Sequence, residues 1–287
     1  MSTPLIHARD LTLGWGDVHL LEHVSFQIER GEIFAILGPS GCGKSTLLRV
    51  LTGLDAPLDG TVEIADVGRP VLGVGVPAYG VTFQAGALFG SMTVGENLAL
   101  ALEAWTDLPR DAVAALVRAK LRLVGLQGCE HQAPASLSGG MRKRAAIARA
   151  LVLEPSLIFL DEPSSGLDPI SAVELDELIL SLNDGLGLTV VMVTHELPSL
   201  FKVARRCIVL DRPTRSIIAQ GDPRVLRDTC EAPAARHFFN RQASGLTPYG
   251  PARSAYGAVV TRQASGLTPY GPARSAYGAV VTRQAST

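Results

Sequence analysis

The stretch Gly38-Pro-Ser-Gly-Cys-Gly-Lys44-Ser45-Thr46 decides the fold class of this chain. It fits the pattern GxxxxGK[ST], in which a glycine-rich loop wraps phosphate oxygens with its backbone N–H groups. The apolar segment Ile33–Leu37 precedes the loop, and the helix-forming run 47–54 follows it. A buried strand, a loop and a helix in this order predict a phosphate site at a helix N-terminus. The alternative is a glycine-rich turn that happens to precede a helix.

Lys44 and Ser45 stand where the loop enters the predicted helix. A lysine at this point is expected to bridge the β- and γ-phosphates of a nucleotide, and a serine hydroxyl to hold Mg²⁺. The three glycines let the backbone approach the phosphates without a Cβ in the way. The predicted nucleotide-binding residues of the loop are Gly38, Pro39, Ser40, Gly41, Cys42, Gly43, Lys44, Ser45 and Thr46.

A second apolar strand, 157–160, ends in the acidic pair Asp161 and Glu162. A carboxylate at the end of such a strand is where a nucleotide-binding sheet places its Mg²⁺-side aspartate, so Asp161 is predicted to act on the metal. Glu162 is the better candidate for the catalytic general base, because it can orient and polarise an attacking water. The alternative is that the pair caps the helix that begins near Asp168.

The segment Leu137-Ser138-Gly139-Gly140-Met141 is a second sequence suited to binding an anion. It opens the predicted helix MRKRAAIARAL, so a hydroxyl, free N–H groups and the positive end of the helix dipole point the same way. A second phosphate-binding loop on another subdomain is most useful if it closes on nucleotide held by another subunit. Taken alone, Ser-Gly-Gly is more simply an ordinary helix cap followed by flexible glycines.

Short β-rich segments separated by helices predict an α/β fold. The strands are expected at 24–28, 33–37, 80–83, 157–160, 189–193 and 207–210. The apolar ones are too continuous for a half-exposed strand and predict a parallel sheet covered on both faces. Two helices, expected at 93–105 and 111–124, predict a helical lobe inserted into this core.

Charge and composition exclude several classes of protein. Of 26 Lys and Arg residues, five lie in 241–287, which has no acid, so residues 1–240 hold 21 basic groups against 27 acidic ones. That balance argues against nucleic acid as a partner, and the basic run 142–144 is expected on a solvated helix face or near nucleotide phosphate. We expect no membrane span, no secretory signal and a reducing compartment for Cys42, Cys129, Cys207 and Cys230.

Residues 241–287 form a Gly/Pro-rich tail with a 21-residue tandem repeat. The unit RQASGLTPYGPARSAYGAVVT occupies 241–261, recurs unchanged at 262–282, and begins again at 283. Each unit has three glycines, two prolines and almost no periodic apolar face, which favours a weakly ordered tail over a packed repeat. A docking element is the alternative.

Over residues 5–240 the chain resembles the ATPases of ABC transporters. GPSGCGKST resembles their Walker A motif, LIFLDE their Walker B motif and LSGGM their signature, all in the family's order. The resemblance implies that Gln84 is the Q-loop glutamine and a further Mg²⁺ ligand, Asp168 the D-loop aspartate, His195 the catalytic switch histidine, and Trp15 the aromatic that stacks on adenine. Ser138, Gly139 and Gly140 then act on ATP bound by the partner subunit of a head-to-tail homodimer.

The same resemblance implies the architecture. Residues 1–240 are expected to form an ATP-binding domain with a P-loop NTPase (RecA-like) core, an antiparallel β subdomain and a helical subdomain at about 91–150. The cofactors implied are ATP and Mg²⁺. The implied location is peripheral, on the cytoplasmic face of the inner membrane, with permease subunits as partners.

The segment Phe83-Gln84-Ala-Gly-Ala-Leu-Phe89 and the helix RKRAAIARA resemble those of the Mla-type (MCE-system) group, which serves phospholipid transporters. This implies phospholipid cargo and an MCE-domain lipid-binding partner. The alternatives are another cargo (amino acid, lipoprotein or drug) and a non-transport ABC protein acting on ribosomes or DNA. An exposed apolar set, Leu88, Phe89 and Met92, is predicted to dock the permease.

Overall fold

The computed structural model describes residues 4–71, 75–84 and 86–240, so the repeated tail at 241–287 lies outside the described residues. The strands are β1 (Ile6–Trp15), β2 (Val18–Ile28), β3 (Ile33–Leu37), β4 (Asp59–Ile64), β5 (Gly80–Thr82), β6 (Leu157–Asp161), β7 (Thr189–Val193), β8 (Arg206–Asp211) and β9 (Ser216–Gly221). The helices are α1 (Lys44–Leu51), α2 (Val94–Trp105), α3 (Arg110–Leu123), α4 (Gly139–Ala150), α5 (Pro169–Leu186), α6 (Leu197–Val203), α7 (Pro223–Thr229) and α8 (Pro233–Phe239).

The strands form two sheets. The larger has the order β5-β6-β7-β3-β8-β9 and is parallel except for the β8–β9 pair. The smaller is antiparallel, with the order β2-β1-β4. The predicted parallel sheet is therefore confirmed, and the strand predicted at 24–28 is the end of β2 in the smaller sheet.

Both faces of the larger sheet are buried, which explains why its strands are continuously apolar. In β3, Ile33, Ala35 and Leu37 pack into the core formed with the helices α2 to α6. Phe34 and Ile36 of the same strand pack into a second core, with α1 and the antiparallel sheet. Alternate residues of a single strand thus serve two cores, because successive side chains leave a strand on opposite sides.

The two helices predicted between the first core strand and the later ones are present as α2 and α3. Thr93 caps α2: its hydroxyl accepts the N–H of Glu96, whose carboxylate accepts the N–H of Thr93 in return. Pro109 precedes α3, where its fixed φ and missing N–H are tolerated. Both helices, with α4, lie in the connection from β5 to β6.

Two properties bear on the environment of the chain. Across the described ranges, no helix combines the length and apolar character needed to cross a bilayer. All four cysteines are unpaired and buried. Burial raises the pKa of the Cys207 thiol to about 12, so this side chain acts as a small apolar group in the core.

Candidate functional site

The carboxyl ends of four neighbouring strands meet at one edge of the larger sheet. In spatial order, β5 leads to Gln84, β6 ends at Asp161 and is followed by Glu162, β7 leads to His195, and β3 leads to the glycine-rich loop. Open α/β sheets bind their ligands in the crevice outside these strand ends. Residues far apart in the sequence are therefore brought to one place by strand order.

A cleft of about 640 Å³ lies at this edge. It is lined by Trp15, Leu20, Gly38, Pro39, Ser40, Gly41, Gly43, Lys44, Ser45, Thr46, Gln84, Asp161, Glu162, His195 and Phe238. Most of the predicted nucleotide-binding residues are thus in one cleft. Cys42 is the exception within the loop, because its side chain is buried beneath it and does not line the cleft.

The backbone of the glycine-rich loop requires glycine at its start. Gly38 has a φ of 144°, and a Cβ placed there would lie 2.5 Å from the carbonyl oxygen of Leu210. Gly43 has a φ of 102° and immediately precedes α1. The Lys44 ammonium donates hydrogen bonds to the carbonyls of Gly38 (2.8 Å) and Pro39 (3.0 Å). The Lys44 side chain therefore folds back over the loop and bonds to its first two residues.

Glu162 adopts an unusual backbone conformation beside this loop. Its φ is +48°, a left-handed value that a non-glycine residue rarely takes. Its N–H donates to the carbonyl of Val193 at 2.9 Å. One carboxylate oxygen, Oε1, lies 2.8 Å from Nδ1 of His195. The other, Oε2, is shielded from solvent and has no hydrogen-bond partner among the described residues.

Asp161 is the last residue of β6 and is half-buried. Burial, reinforced by the neighbouring charge of Glu162, raises the pKa of its carboxyl, while Lys143 and Lys44 oppose the shift. A further cation beside this pair would favour the ionised carboxylates. The acidic pair does not cap α5, because the carboxylate of Asp168 accepts the N–H groups of Ile170 and Ser171 at the start of that helix. The capping alternative is therefore wrong.

The signature residues Ser138, Gly139 and Gly140 and the D-loop residue Asp168 do not line this cleft. Ser138 is the N-cap of α4, and its hydroxyl accepts the N–H of Met141 at 3.2 Å. A Cβ at Gly140 would lie 3.2 Å from the Ser171 side chain. The glycine here permits close packing of α4 against α5, rather than a left-handed backbone.

Three aromatic or apolar side chains border the cleft at its rim. Trp15 ends β1 at a tight turn into β2 and is 61% exposed, as suits a ring free to stack on a base. Leu20, on β2, and Phe238, on α8, were not predicted from the sequence. Neither belongs to a motif, and Phe238 follows His195 by a long stretch of chain that carries no local signal.

The ABC transporter family matches residues 21–165, which hold both the glycine-rich loop and Glu162. The chain belongs to the ABC transporter family. Its fold is that of the family's ATPase cassettes, and it is an ATP hydrolase, so the predicted family, fold class and activity are confirmed.

Curated relatives cover most of this ABC ATPase. "Intermembrane phospholipid transport system ATP-binding protein MlaF" of Escherichia coli (strain K12) is 38% identical over 250 residues, which are 85% of this chain and 92% of that protein. "Probable ribonucleotide transport ATP-binding protein mkl" of Mycobacterium leprae (strain TN) is 39% identical over 84% of this chain and 70% of its own length. The resemblance to the Mla group is thus confirmed, beside a relative named for another cargo.

Solved structures agree with the family. The cbiO1 structure from Clostridium perfringens, described as part of the ABC transporter complex cbiONQ, has a TM-score of 0.68 at 28% identity, covering 78% of this chain and 90% of that one. The ATP-binding cassette MJ0796, a dimer in a post-hydrolysis state with ADP and Pi, has a TM-score of 0.67 at 29% identity, covering 76% and 98%.

Proposed function

We propose that this chain hydrolyses ATP to drive a membrane permease that moves phospholipid across or between bacterial membranes. The proposal that the cargo is phospholipid rests on the 38% identity to MlaF, which extends over 92% of that protein's length. The geometry that supports ATP hydrolysis is the hydrogen-bonded pair of Glu162 and His195 beside the glycine-rich loop.

Glu162 is the general base in this proposal. Its carboxylate takes a proton from the attacking water, whose oxygen bonds to the γ-phosphorus of ATP as the bond from that phosphorus to the β–γ bridging oxygen breaks and the oxygen leaves with ADP. His195, bonded to Oε1, holds the carboxylate in its orientation. Lys44 and the N–H groups of the loop stabilise the negative charge on the phosphates. The products are ADP and inorganic phosphate.

Ser45, Gln84 and Asp161 are the residues that would hold Mg²⁺. They line one cleft, and they offer a hydroxyl, an amide and a carboxylate, which are oxygen donors of the kind this ion prefers. The donor set therefore fits the ion. When bound, Mg²⁺ neutralises charge on the phosphate oxygens.

The active form in this proposal is a homodimer. Ser138 and the N–H groups that begin α4 lie away from the cleft of their own chain, so they are available to the nucleotide of a second copy. Asp168, exposed at the start of α5, is likewise proposed to face the second copy in the dimer. The dimeric cassette among the similar structures supports this arrangement.

The permease is proposed to dock in an apolar groove of about 380 Å³ between α2 and the start of β5. Its exposed apolar side chains are Phe89, Leu100 and Trp105. The prediction of an exposed set needs correction here: Leu88 is partly buried against the core, and Met92 is only half-exposed. Docking there keeps the chain peripheral, on the cytoplasmic face of the inner membrane. An MCE-domain lipid-binding protein is proposed as a further partner of the complex.

The test is purification of the tagged Glu162→Gln chain from native membranes in the presence of ATP. Turnover should fall about 100-fold or more while ATP still binds, which stabilises the closed complex for identification. A permease with an MCE-domain protein and bound phospholipid supports the proposal. Recovery with ribosomes or DNA and no membrane protein contradicts it.

Ribonucleotide transport is the second candidate, because mkl carries that name at 39% identity. The same purification separates the two cargoes. A permease recovered with a ribonucleotide other than the added ATP or its product ADP, and without phospholipid, assigns this second cargo. Phospholipid extracted from the purified complex is quantified and compared with that from a purification of membranes lacking the tagged chain. An excess over this control shows bound phospholipid rather than carry-over of membrane.

A further inference from the structure

Lys143 connects three separate parts of the nucleotide site. It lies on α4, five residues after Ser138. Its ammonium donates to the carbonyl of Gln84 at 2.6 Å and to the carbonyl of Glu162 at 2.9 Å. These acceptors are 59 and 19 residues away in the sequence. A side chain on the signature helix therefore holds both the Q-loop and the residue after β6.

The bond to Glu162 acts on a backbone that is under strain. A left-handed φ of +48° is strained for a glutamate and persists only where the surroundings hold it. The peptide N–H of Glu162 donates to the carbonyl of Val193, and its own C=O accepts from Lys143 at 2.9 Å and from the N–H of Ser165 at 3.3 Å. Because both sides of the residue are bonded, the carboxylate is aimed at the cleft in one direction.

The burial of Lys143 also requires an explanation. Its side chain is half-buried, and burial lowers the pKa of the ammonium, while the charges of Asp161 and Glu162 oppose that shift. Long basic side chains are seldom withdrawn from water without bonded partners. Lys143 does not line the cleft, and its ammonium bonds instead to two backbone carbonyls beside it.

We propose that Lys143 is a positioning residue for hydrolysis, which ties the placement of α4 to the orientation of Glu162 and of the Q-loop. The inference rests on the proposed role of Glu162 as the base. When α4 engages nucleotide through Ser138, the same helix carries the lysine that fixes Glu162. Hydrolysis then proceeds only with the signature helix in position.

The test compares three variants of the full chain in steady-state ATP hydrolysis. Lys143→Met removes the charge and donors, and we expect kcat to fall about tenfold or more with the KM for ATP within about twofold of the parent. Lys143→Arg keeps donors and charge, and should recover at least about a third of the parental kcat. Lys120→Met is the matched control, since Lys120 is also a largely buried lysine of the helical region, pairs with Glu154 and does not line the cleft; its kcat should stay within about twofold.

Four results would overturn the inference. They are a Lys143→Met kcat within twofold of the parent, an equal loss in Lys120→Met, a loss in Lys143→Arg as large as that in Lys143→Met, and a loss of ATP binding that accounts for the lost turnover. Equilibrium binding of fluorescent ATP, measured for every variant, separates an unfolded protein from a misaligned one. Glu162→Gln in the same assay distinguishes the two claims: if it hydrolyses ATP normally, the role of Glu162 fails, whatever Lys143 does.

Discussion

Nδ1 of His195 lies 2.8 Å from Oε1 of Glu162, while Oε2 of the same carboxylate is buried and has no hydrogen-bond partner in the part of the chain that the structure describes. The two oxygens of one side chain therefore have different surroundings. The bonded oxygen orients the carboxylate, and Glu162 lines the cleft. An arrangement of this kind suits the orientation of a single water molecule.

Replacement of His195 by alanine should lower kcat about tenfold or more and leave ATP affinity within about threefold. The reason is that the histidine orients Glu162 and does not supply the base itself. Steady-state hydrolysis and equilibrium ATP binding measure the two quantities. Glu196→Gln is the control, because its carboxylate lies 3.4 Å from the other ring nitrogen of His195 and does not line the cleft. An equal loss in both variants would show that the imidazole needs both partners.

Trp15→Ala should weaken ATP binding about tenfold, since stacking on a base contributes about 1–3 kcal/mol. Trp15→Phe should retain most of the affinity, because a smaller ring still offers a face. The exposed indole also predicts that its fluorescence changes when ATP binds. Loss of that change in Trp15→Phe, with Trp105 still present, identifies Trp15 as its source. Unaltered affinity in Trp15→Ala would remove this residue from the site.

Gly38→Ala should destabilise the fold on the order of 3 kcal/mol, because the new Cβ would meet the Leu210 carbonyl and the Cys42 sulfur at 2.5 and 2.6 Å. Gly41→Ala is the matched control. Its φ is +75°, but its nearest neighbour is 3.8 Å away, so only backbone strain of about 1 kcal/mol is expected. Urea unfolding of both variants measures the difference. Equal losses would mean that conformation, rather than contact, selects glycine at position 38.

Phe89→Asp should abolish co-purification of the permease without changing ATP hydrolysis by the isolated chain. The side chain is 52% exposed and lines the groove, so a charge there opposes docking more than folding. Val225→Asp alters a comparably exposed residue outside the groove and should leave the complex intact. Retention of the permease by Phe89→Asp would place the contact elsewhere.

Leu88→Asp should behave differently from Phe89→Asp, although the two residues are adjacent. Leu88 packs against the core, so a carboxylate there should lower the free energy of unfolding by about 2 kcal/mol or more. Thermal unfolding measures this loss. If Leu88→Asp unfolds at the parental temperature, its side chain is free to serve the groove as the sequence predicted.

Most strands that sequence alone located lie in the larger sheet; the exception, 24–28, is the end of β2 and alternates buried and exposed residues. β3, β6 and β7 each show an unbroken apolar run, because their two sides serve two cores. β1, β4 and β9 were missed from periodicity. The pairing of β1 with β2 is interrupted by register shifts, and β9 is only half-buried, so no regular alternation marks either strand.

The residues of the candidate site also differ in whether the sequence alone could predict them. Motif residues such as Lys44, Glu162 and Ser138 could be predicted because their chemistry depends on a short loop and the element beside it. Lys143 and Phe238 could not. A lysine within a basic run indicates a solvated helix face or a neighbour of nucleotide phosphate, and its two acceptors are carbonyl oxygens, which no side-chain pattern reports.

Local backbone conformation depends on residues that are close in the sequence. The phosphate loop, the acidic strand end and the start of α4 could therefore be predicted without a structure. Strand order cannot be predicted in that way, because parallel neighbours are joined by crossovers and pair with segments far away in the chain. The position of β6 between β5 and β7 decides that Gln84, Glu162 and His195 share one edge of the sheet. The same strand order lets Lys143 bond to the carbonyls of both Gln84 and Glu162, and lets His195 bond to the carboxylate of Glu162. The tertiary structure alone distinguishes the two oxygens of Glu162.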